Sequence, residues 1–409
     1  MESRSEKSRR YISIWQRFLH FERQLITGVL LLFSFLILLS GCTNPFFTPS
    51  QSGSEGTPTL TDSPTAVATP TPAVKLPTIT LQVVGCPALS INWDSLIGTR
   101  TNVNKVQKVT CGYLEGNGLL QALVNVRYYT PDAKLDFYVY DNLSATPVQR
   151  LKVQGLIDGD TQISPKGTIT TAEIGLNGLS SAVPNLFKEY QWNGTAFLQI
   201  LFPGLYPDIT HYQAEKFQAL YVSQGGASGN ESWRTSGVLV AEHLALSVFH
   251  WANVTKTVVK NNLVDPIIVQ IINNGTGGGG FNATLYHLDG VSTNILEITS
   301  VASTNGSVSL SSPTSGTQIS SPVNVQGNYV ASGSILGRVV LYDNTYVTVG
   351  NTGDLHSSVT SGSGSFNVAI HYTLNARGVQ EGVIAFFSTT QNNTAFINQA
   401  VMLKVFLSA

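Results

Sequence analysis

From residue 78 onward, apolar positions recur in short runs that are separated by turn residues. Between 78 and 210 the runs are rich in Val, Ile and aromatic residues, which is typical of β-strands. Asn193-Gly194 stands between two such runs and indicates a hairpin turn. The pattern predicts an all-β first module at 78–210, with strands at 78–84, 105–109, 121–129, 135–140, 148–153, 168–174, 189–192 and 196–201.

The spacing of apolar positions changes from two to three or four at residue 211, which indicates helices. One helix is predicted over 211–224 and a second over 231–251, where Val240, Leu244 and Val248 form one apolar stripe. Strands at 264–272, 281–288 and 295–301 follow. The region 211–302 is therefore predicted to be a small α+β module.

Residues 303–409 again contain regularly spaced strand patterns, at 337–342, 364–370, 382–388 and 401–407. Two Ser-Pro turns, Ser312-Pro313 and Ser321-Pro322, precede them. This arrangement resembles the bacterial spore-germination immunoglobulin-like domain, although relatives have an acidic or aromatic residue where this chain has Ser334-Ile335-Leu336. The resemblance implies a C-terminal immunoglobulin-like β-sandwich of the adhesion or spacer type. The module before it loosely resembles the small domain that precedes such a sandwich in many actinobacterial lipoproteins.

The amino terminus has the pattern of an export signal. Residues 1–24 are polar and basic, and the apolar run 25–39 is shorter than the ~20 residues of a membrane span. Leu39-Ser40-Gly41-Cys42 resembles the bacterial lipobox. The resemblance implies a signal peptide at 1–41 that is cleaved before Cys42, which then carries a lipid (palmitate-type acyl chains) at the extracytoplasmic face of the bacterial cell membrane. The alternative is an uncleaved signal anchor in which Cys42 is incidental.

Residues 42–77 are dominated by Pro, Thr and Ser and have no hydrophobic period. Such a segment is an extended tether rather than a domain, and it could reach up to ~100 Å from the bilayer. That reach is compatible with passage through a cell wall.

Composition excludes one class of partner. The chain has 409 residues, of which 42% are hydrophobic and only 11% charged. Residues 1–41 hold six Lys or Arg and three Glu, which leaves 17 basic and 21 acidic side chains, a net charge of −4, on the remainder. No basic field of the kind that nucleic-acid binding requires is present.

The three cysteines have different predicted roles. With Cys42 assigned to the lipid, Cys86 and Cys111 are left in a compartment where disulfides persist. A bridge between them would close a loop of about 25 residues, worth roughly 3 kcal/mol in the chain-entropy model. The alternative is a pair of buried free thiols.

The segment 113–121 resembles the calcium loop and strand of FG-GAP-type repeats. In that family carboxylates occupy the loop positions that here hold Tyr113, Glu115, Asn117 and Gln121. Ca²⁺ needs several charged oxygens. The sequence therefore predicts an inherited turn without its metal, and no metal or cofactor elsewhere. His243 and His250, seven residues apart on the predicted second helix, are interpreted as solvated or capping residues rather than ligands.

Catalytic motifs are missing from the sequence: there is no nucleophile elbow, P-loop, dinucleotide fingerprint or metal-cysteine cluster. The first hypothesis is a non-catalytic surface lipoprotein whose β-rich modules contact cell-wall polymer or another envelope protein. The second is an envelope hydrolase or carbohydrate-binding lipoprotein with a cleft between the first and second modules. The cleft candidates are Glu115, Asp158, His211 and Glu231. Exposed aromatic residues that could bind sugars, or else fill cores, are Tyr190, Trp192, Trp233 and Trp251.

Overall fold

Strands dominate the computed structural model, which describes residues 79–87, 90–175, 183–226, 229–260, 264–274, 279–331, 335–357, 362–388 and 399–408. These residues form 22 strands and three α-helices and belong to one compact unit, Ala73–Ala409. The predicted mainly-β fold is confirmed. The predicted signal peptide, Cys42 and the tether lie outside the described residues.

The first module is built from two antiparallel sheets, apart from one parallel strand pair at the start. The first sheet runs in the order β1 to β5: β1 (Gln82–Val84), β2 (Asn104–Gly112), β3 (Gln121–Tyr128), β4 (Leu135–Asp141) and β5 (Val148–Leu156). The second sheet runs in the order β6 to β9: β6 (Asp160–Ile163), β7 (Ile169–Glu173), β8 (Leu186–Trp192) and β9 (Phe197–Ile200). The sequence patterns did not predict β6.

Strands β3 and β4 are buried on both faces, which explains why their sequences are mostly apolar rather than alternating; the polar exceptions Gln121, Asn125 and Asp136 are buried too. On one face Leu123 and Phe137 join a cluster with Ile169 of the second sheet. The other face packs against Trp93 of helix α1 (Trp93–Ile97). This short helix was not predicted, since five residues are too few to display a helical period.

Two longer helices follow, and the second corrects a prediction. Helix α2 (His211–Ser223) lies where a helix was expected. Helix α3 (Gly237–Ser247) is shorter than the predicted 231–251, because Ser232–Thr235 forms a separate 3-10 turn and Ser236 caps the helix with its side chain. His243 and His250 therefore do not share a helix. His250 follows the helix end in a left-handed conformation, with φ of 57°.

A long sheet crosses the predicted boundary between the second and third modules. Its order is β10-β11-β12-β13-β22-β21-β17-β18, and Val301 of β13 pairs with Met402 of β22. Its strands are β10 (Val254–Lys260), β11 (Ile267–Asn273), β12 (Gly280–His287), β13 (Leu296–Ser303), β17 (Ile335–Tyr342), β18 (Thr348–Asn351), β21 (Gln380–Phe387) and β22 (Ala400–Ser408). Helix α3 covers this sheet, and one buried cluster joins Val240 and Leu244 to Phe281 and Phe387. The module boundaries themselves stay a prediction.

The C-terminal part is a two-layered β arrangement. One layer is the sheet β14-β16-β20, formed by β14 (Val308–Ser312), β16 (Val323–Ala331) and β20 (Gly362–Ile370). The other is the end of the long sheet, with β15 (Gln318–Ser320) paired to β22 and β19 (Leu355–His356) paired to β17. Val325 and Ile370 of the first layer share a buried cluster with Leu341 and Phe386 of the second. No helix in the described part of the chain is long enough and apolar enough to cross a membrane.

Candidate functional site

Helix α2 begins with two side chains that face the same buried cluster. Thr210 caps the helix. Its side chain accepts a hydrogen bond from the backbone N–H of Gln213, and the side chain of Gln213 accepts one from the backbone N–H of Thr210. His211 is the first helical residue, and Glu215 lies one turn later. His211 Nε2 lies 3.5 Å from Glu215 Oε1. The i, i+4 spacing therefore places both side chains on one face of the helix.

A strand of the first module orients the histidine ring. Glu189 on β8 is buried, and its Oε1 lies 2.7 Å from His211 Nδ1. The hydroxyl of Thr168 donates to the same carboxylate oxygen. Phe202 stacks on the imidazole, with ring centroids 5.0 Å apart. These contacts fix both the plane of the ring and the direction of Nε2.

The third member of the cluster comes from a tight turn, Leu288–Gly290. Asp289 has φ of 57°, a left-handed conformation that Asp tolerates better than most residues. Its side chain is only 3% exposed, and its Oδ1 lies 3.2 Å from His211 Nε2. Lys166 Nζ approaches the same carboxylate at 3.8 Å. Strained backbone at a buried charged residue is a feature that recurs at functional sites.

The cluster perturbs the protonation of its members. Burial alone disfavours the imidazolium, but the carboxylates of Asp289, Glu189 and Glu215 outweigh it and raise the pKa of His211 to about 11. Burial raises the pKa of Glu215. The pKa of Asp289 is lowered, because its interactions with His211 and Glu215 outweigh the opposing effect of burial. The site is thus arranged to hold positive charge at His211 or beside it.

His211, Glu215 and Asp289 present one ligand atom each within 4.8 Å of one another, so they could hold a metal ion.

A cavity of about 530 Å³ borders this cluster. Lys166 from the first module lines it, together with Phe202, Tyr286, Asp289 and Glu297. Asp289 therefore belongs both to the cluster and to the cavity wall. The volume is in the range of small-molecule pockets.

A second buried ionic group lies around Arg234. Its guanidinium bonds Asp208 at 2.5 Å and Glu231 at 2.9 Å, and it lies over the ring of Phe217, 3.9 Å from the centroid. The backbone N–H of Asp208 donates to Glu297. Burial, followed by repulsion from Asp208, raises the pKa of Glu297 well above its usual value. The residues of this group bond one another, as expected of a structural network.

The structure does not bring the four cleft candidates together. Glu115 accepts from Asn117 and lies near Arg150, whereas Glu231 belongs to the Arg234 group. Asp158 has a left-handed backbone conformation, and its own backbone N–H donates to the carbonyl of Asp132. His211 alone of the four belongs to the cluster described above. None of the four is among the described residues that line the 530 Å³ cavity.

The aromatic candidates are partly or wholly inside the protein. Trp251 is fully buried, and its Nε1 donates to the carbonyl of Ser388. Trp233 is half-buried and stacks on His243 at 4.1 Å. Tyr190 and Trp192 are half-buried against the core between the two sheets of the first module. Trp251 is therefore unable to contact a sugar, and the others have limited free surface.

Side-chain amides hold the loop 113–121 together. The amide oxygen of Gln121 accepts from the backbone N–H groups of Leu114 and Glu115, at 2.8 and 3.2 Å. Asn117 donates to Glu115 and accepts from the backbone of Leu119. The turn is thus closed by hydrogen bonds at the positions where the resembling family places carboxylates. The absence of a metal here stays a prediction.

Cys86 and Cys111 form a disulfide, as predicted, with their Cα atoms 4.9 Å apart. The bridge joins the segment after β1 to strand β2. It ties the beginning of the described unit to the first sheet, where β1 also pairs with β2.

The comparisons with known proteins leave the family open. No family model matches the chain, and no curated protein matches it. Among solved structures, it is similar to a bifunctional GH43-CE protein of Bacteroides eggerthii, at 11% identity and a TM-score of 0.15, over 78% of this chain and 54% of that one. The chain thus spans about half the length of that protein. A likeness at this TM-score carries no argument about fold or function.

Proposed function

We propose that this chain is a non-catalytic lipoprotein, anchored through Cys42 to the extracytoplasmic face of the bacterial membrane, that displays a β-rich unit to the envelope. The observation that carries the proposal is the disulfide Cys86–Cys111. Disulfides persist in oxidising compartments outside the cytoplasm. This one lies just beyond the Pro- and Thr-rich segment that follows the lipobox-like sequence.

Two features support a display role. The modules of the described unit are joined to one another: Val301 of β13 pairs with Met402 of β22, Arg234 makes a buried ion pair with Asp208, and Lys404 donates to the carbonyl of Gly204. Two acyl chains hold a protein stably at a membrane, whereas a single chain gives only marginal binding. A diacylglyceryl group on Cys42 would therefore suffice to hold such a unit at the surface. Its partners would be cell-wall polymer or another envelope protein.

The anchor is tested by expressing the full chain in a bacterial host with lipoprotein processing, in the presence of a clickable palmitate analogue. The wild type is expected to be labelled and to fractionate with membranes. Cys42→Ser should lose the label, whereas Cys86→Ser, which leaves the lipobox-like sequence intact, should keep it. An unlabelled wild type, or a labelled Cys42→Ser chain, would refute the proposal.

The second candidate is an envelope hydrolase or carbohydrate-binding lipoprotein, and the cavity between Lys166 and Tyr286 favours it. Tyr286 is 42% exposed and offers a ring face for a sugar. Binding of solubilised cell-wall fragments by the full chain in detergent should then weaken at least tenfold in Tyr286→Ala. Tyr113→Ala, at a more exposed tyrosine outside the cavity lining, is the matched control. Equal binding by both variants would exclude the cavity as the site.

A further inference from the structure

Three buried ligand atoms converge at the start of helix α2. His211 Nε2 lies 3.2 Å from Asp289 Oδ1 and 3.5 Å from Glu215 Oε1. Two donors that each bind a Zn²⁺ ion at about 2.1 Å in a tetrahedral arrangement lie about 3.4 Å apart. These two separations therefore match those of ligands around one cation, and the three ligand atoms all lie within 4.8 Å of one another.

Within the described residues, none of these atoms makes a well-aligned hydrogen bond, although they lie within ion-pairing distance of one another. His211 Nε2, Glu215 Oε1 and both carboxylate oxygens of Asp289 are buried and unpaired in this sense. Buried polar groups are almost always hydrogen-bonded, so unpaired ones that point at a common position need an explanation. The side chains of His211 and Asp289 are each 3% exposed, which keeps bulk water from supplying the partner.

The opposite edge of the imidazole is fixed as in metal-bound histidines. Glu189 contacts Nδ1 at 2.7 Å, and Thr168 in turn donates to Glu189. A metal-ligating histidine almost always donates its second N–H to a carboxylate or carbonyl, which sets the tautomer and leaves the other nitrogen free to ligate. With Nδ1–H donated to Glu189, an Nε2 that has lost its proton to a metal ion would direct its lone pair towards Asp289 and Glu215.

Charge balance favours the same conclusion. The carboxylates of Glu189, Glu215 and Asp289 carry three negative charges around His211, and Lys166 contributes one positive charge at 3.8 Å. Buried charges are strongly disfavoured unless they are paired or coordinate a metal. With all three carboxylates ionised, a divalent cation beside a neutral imidazole brings the sum to zero.

We infer that His211, Glu215 and Asp289 bind one divalent transition-metal ion, with Glu189 as the carboxylate that orients His211. The mixed nitrogen and carboxylate donors suit Zn²⁺ or Mn²⁺, whereas Ca²⁺ takes oxygen ligands alone. The ion would tie helix α2 to the 288–290 turn and, through Glu189, to strand β8. Asp289 also lines the 530 Å³ cavity, so the metal would lie at the cavity wall.

The test uses the full chain in detergent, stripped by a chelator and titrated with Zn²⁺ against a chromophoric competitor, with bound metal counted by mass spectrometry. We expect one Zn²⁺ per chain, and at least tenfold weaker binding in both Asp289→Asn and Glu215→Gln. Asn tolerates the left-handed conformation of residue 289, so the first variant keeps the turn. Glu242→Gln, at a surface ion pair with Lys256, is the control and should bind as the wild type does.

A second measurement does not depend on the variants. Co²⁺ added to the stripped wild type should give the visible absorption of a low-symmetry site, and Zn²⁺ should displace it. Absence of saturable Zn²⁺ binding by the wild type would overturn the inference and leave His211 as an imidazolium held by carboxylates. Binding by Asp289→Asn and Glu215→Gln as tight as that of the wild type would overturn it too, because the metal would then lie elsewhere.

Discussion

Lys404 on strand β22 makes a buried ion pair whose removal has a calculable effect. Its Nζ lies 2.8 Å from Glu381 Oε2, and the two side chains are 5% and 1% exposed. The same ammonium donates to the carbonyls of Gly204 and Ile209, in the segment that links strand β9 to helix α2. Lys404→Met keeps most of the side-chain volume but removes the charge and these donors.

The expected loss in the free energy of unfolding at pH 8 is about 3–5 kcal/mol, the usual result of breaking a buried pair from one side. Burial raises the pKa of Glu381 to about 7 even with Lys404 present. At pH 6 the carboxyl is therefore mostly protonated and has less need of a cationic partner. The loss caused by Lys404→Met should be smaller at pH 6 than at pH 8, and Lys404→Met/Glu381→Gln should recover part of it.

Urea unfolding of the full chain with its disulfide intact measures these differences, with tryptophan fluorescence as the readout. Trp251 is a suitable reporter because it is fully buried in the core beneath helix α3. Lys256→Met is the matched control: its surface pair with Glu242 is 37% and 23% exposed and is worth at most about 1 kcal/mol. A loss in Lys404→Met no larger than that of the control, or a loss that grows as the pH falls, would contradict the role assigned to this ion pair.

Three further predictions concern separate features. Cys111→Ser should lower the free energy of unfolding by about 3 kcal/mol, measured by urea unfolding of the full chain, and an unchanged value would contradict the structural role of the bridge. The pKa of Glu297 in the folded chain is raised above the usual 4.5. As the pH rises above 4.5, the folded chain therefore retains a proton that the unfolded chain releases, and the free energy of unfolding falls. Glu297→Gln should therefore gain stability relative to the wild type as the pH rises from 4 to 8, and thermal melts at both pH values check this; a difference that does not change with pH would contradict the shift. Glu189→Gln should weaken Zn²⁺ binding about 10–100-fold while leaving the stoichiometry at one, and an unchanged affinity would remove Glu189 from the metal site.

Many strand positions could be predicted from the sequence because the buried strands here are mostly apolar and bounded by turn residues, whereas the order of the strands in the sheets could not. Strand β6 was missed since Asp160–Ile163 contains a single apolar residue. Strand β10 lies at the edge of the long sheet with most of its side chains exposed, so it lacks a buried face to mark it. The second helix was predicted too long because Val248, Phe249 and Trp251 continue its apolar pattern, although they are buried beyond the helix end.

The candidate site was only partly visible from the sequence. His211 and Glu215 have the i, i+4 spacing of ligands on one helix face, a signal that local reading can detect. Asp289 and Glu189 lie 78 and 22 residues from His211. They reach it through tertiary structure, which a single sequence does not encode as a local pattern. The left-handed turn at Asp289 is followed by Gly290, and this Asp-Gly pair reads as an ordinary turn until its partners are known.

Lipid anchoring through Cys42 can be decided by mass spectrometry of the amino-terminal peptide of the chain extracted from membranes. We expect a peptide that begins at Cys42 and carries a thioether-linked diacylglyceryl group. An amino terminus upstream of Cys42, or an unmodified Cys42 thiol, would contradict it.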